Sequence, residues 1–275
     1  MILDKIQKGL QKPHLIIPFF LSKFNNPYLR TQRFLKNKNL IWHCCTPKSA
    51  SSYLVYIMRY QNLKTIDSMP FYQNRVQISD FSYLKKKIKI QFNLFSNDLI
   101  YIAHQHSVLD NFFKQHISKK HKVIIQTRNI YETILSFKDM VASKKKLMES
   151  PWTIYNNNIH NEKDLLKSLI YNYVPFHCNF IKTWVEKEIE GEKIFLNYKD
   201  FVTNEEKYLK KILSNYKKKI IIPEFHNIKK DKIKYVVGLE RKNTLTIEER
   251  KLIDDIVEVE TKYVSPKVKS LIYQN

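Results

Sequence analysis

Glycine is almost absent from this chain. Its 275 residues hold three, Gly9, Gly191 and Gly238, so tight turns fall to Asn, Asp or Ser, and glycine-lined phosphate loops are excluded. Cysteine is as scarce, with Cys44, Cys45 and Cys178. Two of these are neighbours and point to opposite faces of an extended strand, so the three thiols by themselves build neither a disulfide framework nor a zinc site. A reducing, cytoplasmic setting is the simplest expectation. No apolar run reaches the roughly 18 residues that a membrane span needs. The stretch HLIIPFFL at 14–21 is interrupted by Pro18 and no small-residue cleavage site follows it. It reads as a docking segment or a wall of the substrate site.

Acidic residues are in short supply too: 26 Asp and Glu stand against 48 Lys and Arg, a net charge of +22. Such an excess points to polyanionic partners or substrates. The lysines are scattered, however, in short runs at 85–87, 119–120, 144–146, 217–219 and 229–230. Zinc-finger spacing, an RNA-binding aromatic signature and zipper heptads are all missing, so nucleic acid is not an expected partner. What the chain does have is 43% apolar and 13% aromatic residues, the composition of a folded globular protein. One domain over 1–275 is expected, with a core at about 39–255 and an N-terminal segment, 1–38, packing on it.

Four unalternated apolar runs read as buried strands: NLIWHCC (39–45), DLIYIAH (98–104), KVIIQT (122–127) and KIFLNY (193–198). Helical spacing follows three of them, through Leu54, Ile57 and Met58, then Ile130, Ile134 and Phe137, then Tyr208, Leu209, Ile212 and Leu213 with Asn204 as cap. The expected class is α/β, a central parallel sheet of four to five strands flanked by helices, with its ligand at the carboxyl ends of the strands. Residues 163–190 read as helices broken near Pro175. The irregular stretch 141–162 suits a mobile flap, and LTIEERKLIDDIVE as a helix capped by Thr246 with Glu249 three residues on.

After the first strand comes TPKSASSYL. Backbone N–H groups at a helix start make an anion site, to which Lys48 adds a charge and Ser49, Ser51 and Ser52 add hydroxyl donors. An ATP or GTP loop would need glycines ahead of Lys48-Ser49, and Pro47 stands there instead. The stretch resembles the 5′-phosphosulfate loop of the PAPS-dependent sulfotransferases, T/Y-P-K-S/T-G-T-T-W-L. Thr46, Pro47, Lys48 and Ser49 match; Ser51 and Ser52 replace threonines, Tyr53 replaces tryptophan, and Ala50 replaces the glycine. KVIIQTRNIYETILSF is similar to the family's 3′-phosphate strand–loop–helix, with Arg128 and Ser136 at its spacing, Asn129 matching, Glu132 in the acidic place and Ile130 instead of proline. KIFLNYKDF resembles the strand ending in Y-E-D, which gives Tyr198 and Asp200. IKYVVG (233–238) partly matches R-K-G-x-x-G through Lys234 and Gly238, while Ile233 and Tyr235 depart from it.

The resemblance spans 39 to about 255 and implies a P-loop-nucleotide-hydrolase-like fold. It implies 3′-phosphoadenosine 5′-phosphosulfate (PAPS) as donor, 3′,5′-bisphosphoadenosine as product, no metal, and a hydroxyl-bearing small molecule, lipid or carbohydrate as acceptor. Thr46 to Ser52 would hold the 5′-phosphate, with Lys48 neutralising the leaving side. Arg128 and Ser136, aided by Lys234, would hold the 3′-phosphate, and Tyr53 and Tyr198 the adenine. The family's catalytic histidine falls at a strand end on His104, with His106 as the alternative base. Residues 14–21, 70–90 and 141–185 would wall the acceptor. Two other readings stand beside this one: a small-molecule or nucleotide kinase, and a basic nucleic-acid or polyanion-binding protein without catalysis.

Overall fold

The computed structural model describes residues 39–61, 64–67, 100–106, 108–115, 117–143, 162–216 and 244–274. Of the flap expected over 141–162, residues 144–161 lie outside them while 141–143 and 162 are helical; the 70–90 wall, the 1–38 segment, Trp152 and the stretch with Lys234 also lie outside.

Among the described residues, five strands form one parallel sheet: β1 (Asn39–Cys45), β2 (Lys64–Asp67), β3 (Ile100–Gln105), β4 (Lys122–Thr127) and β5 (Glu192–Asn197), in the order β2-β3-β1-β4-β5. β1 is central because its run is apolar on both faces: Leu40, Ile41, Trp42, Cys44 and Cys45 are all fully buried. Strand parity divides the core. Leu40, Trp42, Val123 and Ile125 face one layer, while Ile41, Ile102, Ile124, Ile194 and Leu196 face the other.

The first layer contains α3 (Ile130–Ser143), α4 (Glu162–Glu186), α7 (Ile247–Glu260) and α8 (Pro266–Tyr273), with the short α2 (Asn111–Lys114) at its margin. The second contains α1 (Ser51–Tyr60), α5 (Tyr198–Thr203) and α6 (Glu205–Leu213). The chain leaves β1 towards β2 on one side, and after β3 it crosses to β4 on the other side of β1. Right-handed crossovers in opposite directions put their helices on opposite faces, and the crevice between the carboxyl ends of β1 and β4 is the switch point where such sheets bind ligands.

Local chemistry sets most boundaries. Leu54, Ile57 and Met58 on α1 and Ile130, Ile134 and Phe137 on α3 are buried at the expected helical spacing. Thr246 and Glu249 close the expected capping box on α7: Thr246 Oγ1 accepts from Glu249 N at 3.1 Å, and Glu249 Oε2 accepts from Thr246 N at 2.8 Å.

Three expectations need correction. α4 runs unbroken through Pro175, because Tyr173, Val174, His177 and Cys178 on either side of it are all buried and hold the axis in place. Asn204 stands at the start of α6 but makes no capping side-chain bond. The strand near 198 ends one residue early, since Asn197 accepts from Lys199 N at 2.8 Å and starts α5, so Tyr198 and Asp200 are helical.

Candidate active site

The loop leaving β1 turns twice through the left-handed region, at Lys48 (φ 64°) and Ala50 (φ 63°). Ser49 between them has negative φ. Alternation of hand over successive residues makes a backbone nest, whose N–H groups converge on an anion. Three consecutive carbonyls are drawn the other way by donors from the body of the protein. Tyr173 on α4 donates its hydroxyl to Pro47 O at 3.3 Å, Arg128 Nη1 donates to Lys48 O at 3.2 Å, and Gln126 Nε2 donates to Ser49 O at 2.6 Å. Among the described residues, the N–H groups of Ser49, Ala50, Ser51 and Ser52 take no backbone carbonyl as acceptor. Thr46 N is bound by Gln126 O at 2.9 Å, while its hydroxyl, buried near Tyr173, makes no hydrogen bond of ordinary geometry among the described residues.

The expected loop residues divide by role. Ser49 donates its hydroxyl to Thr46 O at 2.6 Å, so it fixes the loop instead of facing an anion. Ser51 is buried at the start of α1 and Ser52 is exposed. The Lys48 ammonium stands 6.0 Å from the ring centre of Phe137, on the same helix as the half-buried Ser136. Tyr53 departs from its expected place. Only 4% exposed, it packs its ring on Phe201 and donates its hydroxyl to Glu205 Oε1 at 2.8 Å. Its apolar ring thus serves the core of the second layer.

Arg128 leaves the carboxyl end of β4 and reaches the β1 loop directly, which brings the two expected phosphate loops side by side. Its guanidinium is braced by Glu132 Oε2 at 2.7 Å from Nη2 and 3.2 Å from Nε, and lies 4.0 Å from the ring centre of Tyr198. Tyr198 is therefore a platform for the arginine. Glu132 is half exposed while Arg128 is buried, so solvent screens the pair from the carboxylate side only. Asn129 Oδ1 accepts from Tyr131 N at 2.9 Å and shapes the start of α3.

On the α1 side of the sheet, strand parity gathers a second polar group. The register pairs His43 with His104 across β1 and β3, and Cys45 with Gln126 across β1 and β4. Gln126 already donates through Nε2, so its Oε1 accepts from His43 Nε2 at 2.7 Å. That leaves the lone pair of His43 on Nδ1, 3.1 Å from His104 Nδ1. With its proton on Nδ1, His104 carries its lone pair on Nε2, the state a general base requires. Cys45 Sγ lies 3.7 Å from His104 Nδ1 and 3.4 Å from His106 Nδ1, and the latter donates to Cys45 O at 2.7 Å.

Burial lowers the pKa of His43 to about 3, against the hydrogen bond to Gln126, which raises it. It also lowers that of His106 and raises that of the Cys45 thiol. His106, its Nδ1 proton held by the Cys45 carbonyl, likewise carries its lone pair on Nε2, so both candidate bases have the tautomer that proton abstraction needs. His43 and Gln126 were not expected at the site. His43 sits in the middle of an apolar run, yet alternation along NLIWHCC puts it on the face of Cys45, a signal that counting cysteines alone overlooks.

Comparison with protein-family models finds no match, and comparison with curated protein sequences finds none either. Among solved structures, the fold resembles the crystal structure of a mouse sulfotransferase complexed with PAP, with a TM-score of 0.50 and 14% sequence identity, over 86% of this chain and 87% of that one. At that identity the likeness is one of fold: an α/β architecture with a helix-flanked parallel sheet, shared with a sulfotransferase.

Proposed function

We propose that this chain is a sulfotransferase that moves a sulfuryl group from PAPS to a hydroxyl of a small molecule, lipid or carbohydrate. The observation that carries the reading is the convergence of the two phosphate loops at the switch point, with Arg128 donating to the carbonyl of Lys48. A nest carrying a lysine, with a guanidinium donating to its carbonyl, matches a donor that is anionic at both ends. The fold likeness to a sulfotransferase complexed with PAP supports the same reading.

In that role the N–H groups of residues 49–52 and Lys48 would hold the 5′-phosphate. Arg128, released from Glu132, would take the 3′-phosphate with Ser136, and Lys234 is proposed as a further contact. PAPS supplies an activated sulfur whose bond to the 5′-phosphate oxygen breaks as the acceptor oxygen bonds to it, the bridging oxygen leaving with its electrons. His104 Nε2 would take the acceptor's proton, with His43 and Gln126 holding the imidazole in the required tautomer, and Lys48 would offset the charge that develops on the leaving phosphate.

The test is thermal unfolding of the full chain with 3′,5′-bisphosphoadenosine, followed by transfer assays with labelled donor on a panel of alcohols, phenols and sugars. The melting temperature should rise with the bisphosphate, Lys48→Ala should abolish transfer in a folded protein, and His104→Ala should lower turnover by about 100- to 10,000-fold. A melting temperature unmoved at millimolar bisphosphate refutes the nucleotide reading. Stabilisation by ATP with magnesium alone would turn it to a kinase, and salt-sensitive binding of DNA or RNA alone to a polyanion binder.

A further inference from the structure

Beneath the β1 loop, three potential ligand atoms stand closer together than packing requires. One ligand atom from each of His43, Cys45 and His104 lies within 4.8 Å of the other two, on two adjacent strands whose register fixes them. Around a tetrahedral zinc ion, ligand bonds of about 2.0 Å to nitrogen and 2.3 Å to sulfur place neighbouring nitrogens about 3.3 Å apart and a nitrogen and sulfur about 3.6 Å apart. The observed separations are 3.1 Å between the two Nδ1 atoms and 3.7 Å from Cys45 Sγ to His104 Nδ1.

The surroundings suit an ion as well. A ligating imidazole almost always donates its other N–H to a fixed acceptor, and His43 Nε2 does so to Gln126, itself anchored on Ser49 O. The Nδ1 lone pair of His43 is thereby presented to His104 Nδ1 before any ion arrives. His43 and Cys45 are fully buried, and His104 is half-buried. The donor set of one thiolate and two imidazoles is soft and nitrogen-rich, the preference of zinc over magnesium or calcium.

We propose that His43, Cys45 and His104 form a binding site for a divalent zinc-class ion, with the fourth position left to water or a substrate atom. His106 does not fill that position through Nδ1, whose proton is held by the Cys45 carbonyl. On binding, the Cys45 thiol and His104 Nδ1 give up their protons, and His104 carries its remaining proton on Nε2. An ion there takes His104 out of service as a base, so zinc should inhibit transfer reversibly. That consequence rests on the proposed function; the binding itself does not.

The test is titration of the untagged, fully reduced full chain with Co²⁺ in the absence of nucleotide, followed by absorption spectroscopy. Expected are one ion per chain, a thiolate-to-cobalt charge-transfer band, and loss of the cobalt spectrum on adding Zn²⁺. Cys45→Ser should lose the charge-transfer band, Gln126→Leu should weaken binding about 10- to 100-fold, and Cys178→Ser should behave as the parent. If Cys45→Ser fails to fold by circular dichroism, His104→Gln takes its place, with loss of affinity expected. A parent protein that binds no cobalt, or a charge-transfer band that survives in Cys45→Ser, overturns the site. Because the melting shift with bisphosphate needs no metal and the cobalt titration needs no nucleotide, each proposal can fail alone.

Discussion

At position 50 a methyl group stands where the backbone turns left-handed, φ 63°. The family that TPKSASSYL resembles has glycine there, and the dihedral gives the physical reason, since a side chain in that region costs about 1–2 kcal/mol. Ala50→Gly should therefore stabilise the chain. The relief is offset in part by the roughly 0.5–1 kcal/mol that glycine's freedom in the unfolded chain costs, for a net gain of up to about 1.5 kcal/mol in urea unfolding. A loss of stability would show that the Ala50 methyl group makes a contact outweighing its strain. Lys48 and Arg128 stood out because a lysine after a strand and an arginine one strand–helix unit later carry their chemistry in their type, and the structure brings Arg128 onto the Lys48 carbonyl. The contacts of Tyr53 were not legible for the converse reason: what a ring or a hydroxyl packs against depends on neighbours far away in sequence, here Phe201 and Glu205.

Among the elements, strands with apolar side chains on both faces announced themselves, and β1 and β4 match their expected bounds. β2 did not, because KTID is a four-residue edge strand with polar residues and no apolar run. The break at Pro175 was a local inference that tertiary burial overrode. The connection between α4 and β5 owes its shape to Gly191. A Cβ there would meet His121 O and Ile117 Cγ2 at 2.9 Å and Ser118 O at 3.1 Å, atoms of the loop that feeds β4. Two of these are backbone atoms and cannot swing away. Gly191→Ala should cost about 1–3 kcal/mol, seen as a lower urea midpoint, and a midpoint equal to the parent's would show that the two connections can separate freely.

Over the whole molecule, acid is the condition to which this architecture is most exposed. His43 and His177 are fully buried, and burial lowers each pKa to about 3. In the unfolded chain both titrate near pH 6.5. Between those values the unfolded state binds more protons than the native one, so stability is complete above about pH 6.5 and falls with acidification by up to about 1.4 kcal/mol per pH unit for each histidine. A net charge of +22 pushes the same way, since every added proton increases self-repulsion. Urea midpoints between pH 7 and pH 5 should fall, and His177→Gln should make the fall shallower. A flat profile would mean that these imidazoles are hydrated.

The three loop carbonyls held by Tyr173, Arg128 and Gln126 have one more consequence. Their donors come from a helix of one layer and from the end of a central strand, so the cradle is as rigid as the scaffold beneath it. For the anion proposed above, the loop backbone would need no reorganisation and only the Arg128–Glu132 pair would have to open, so its recognition should resemble a key entering a cut lock, fast and with little entropic resistance.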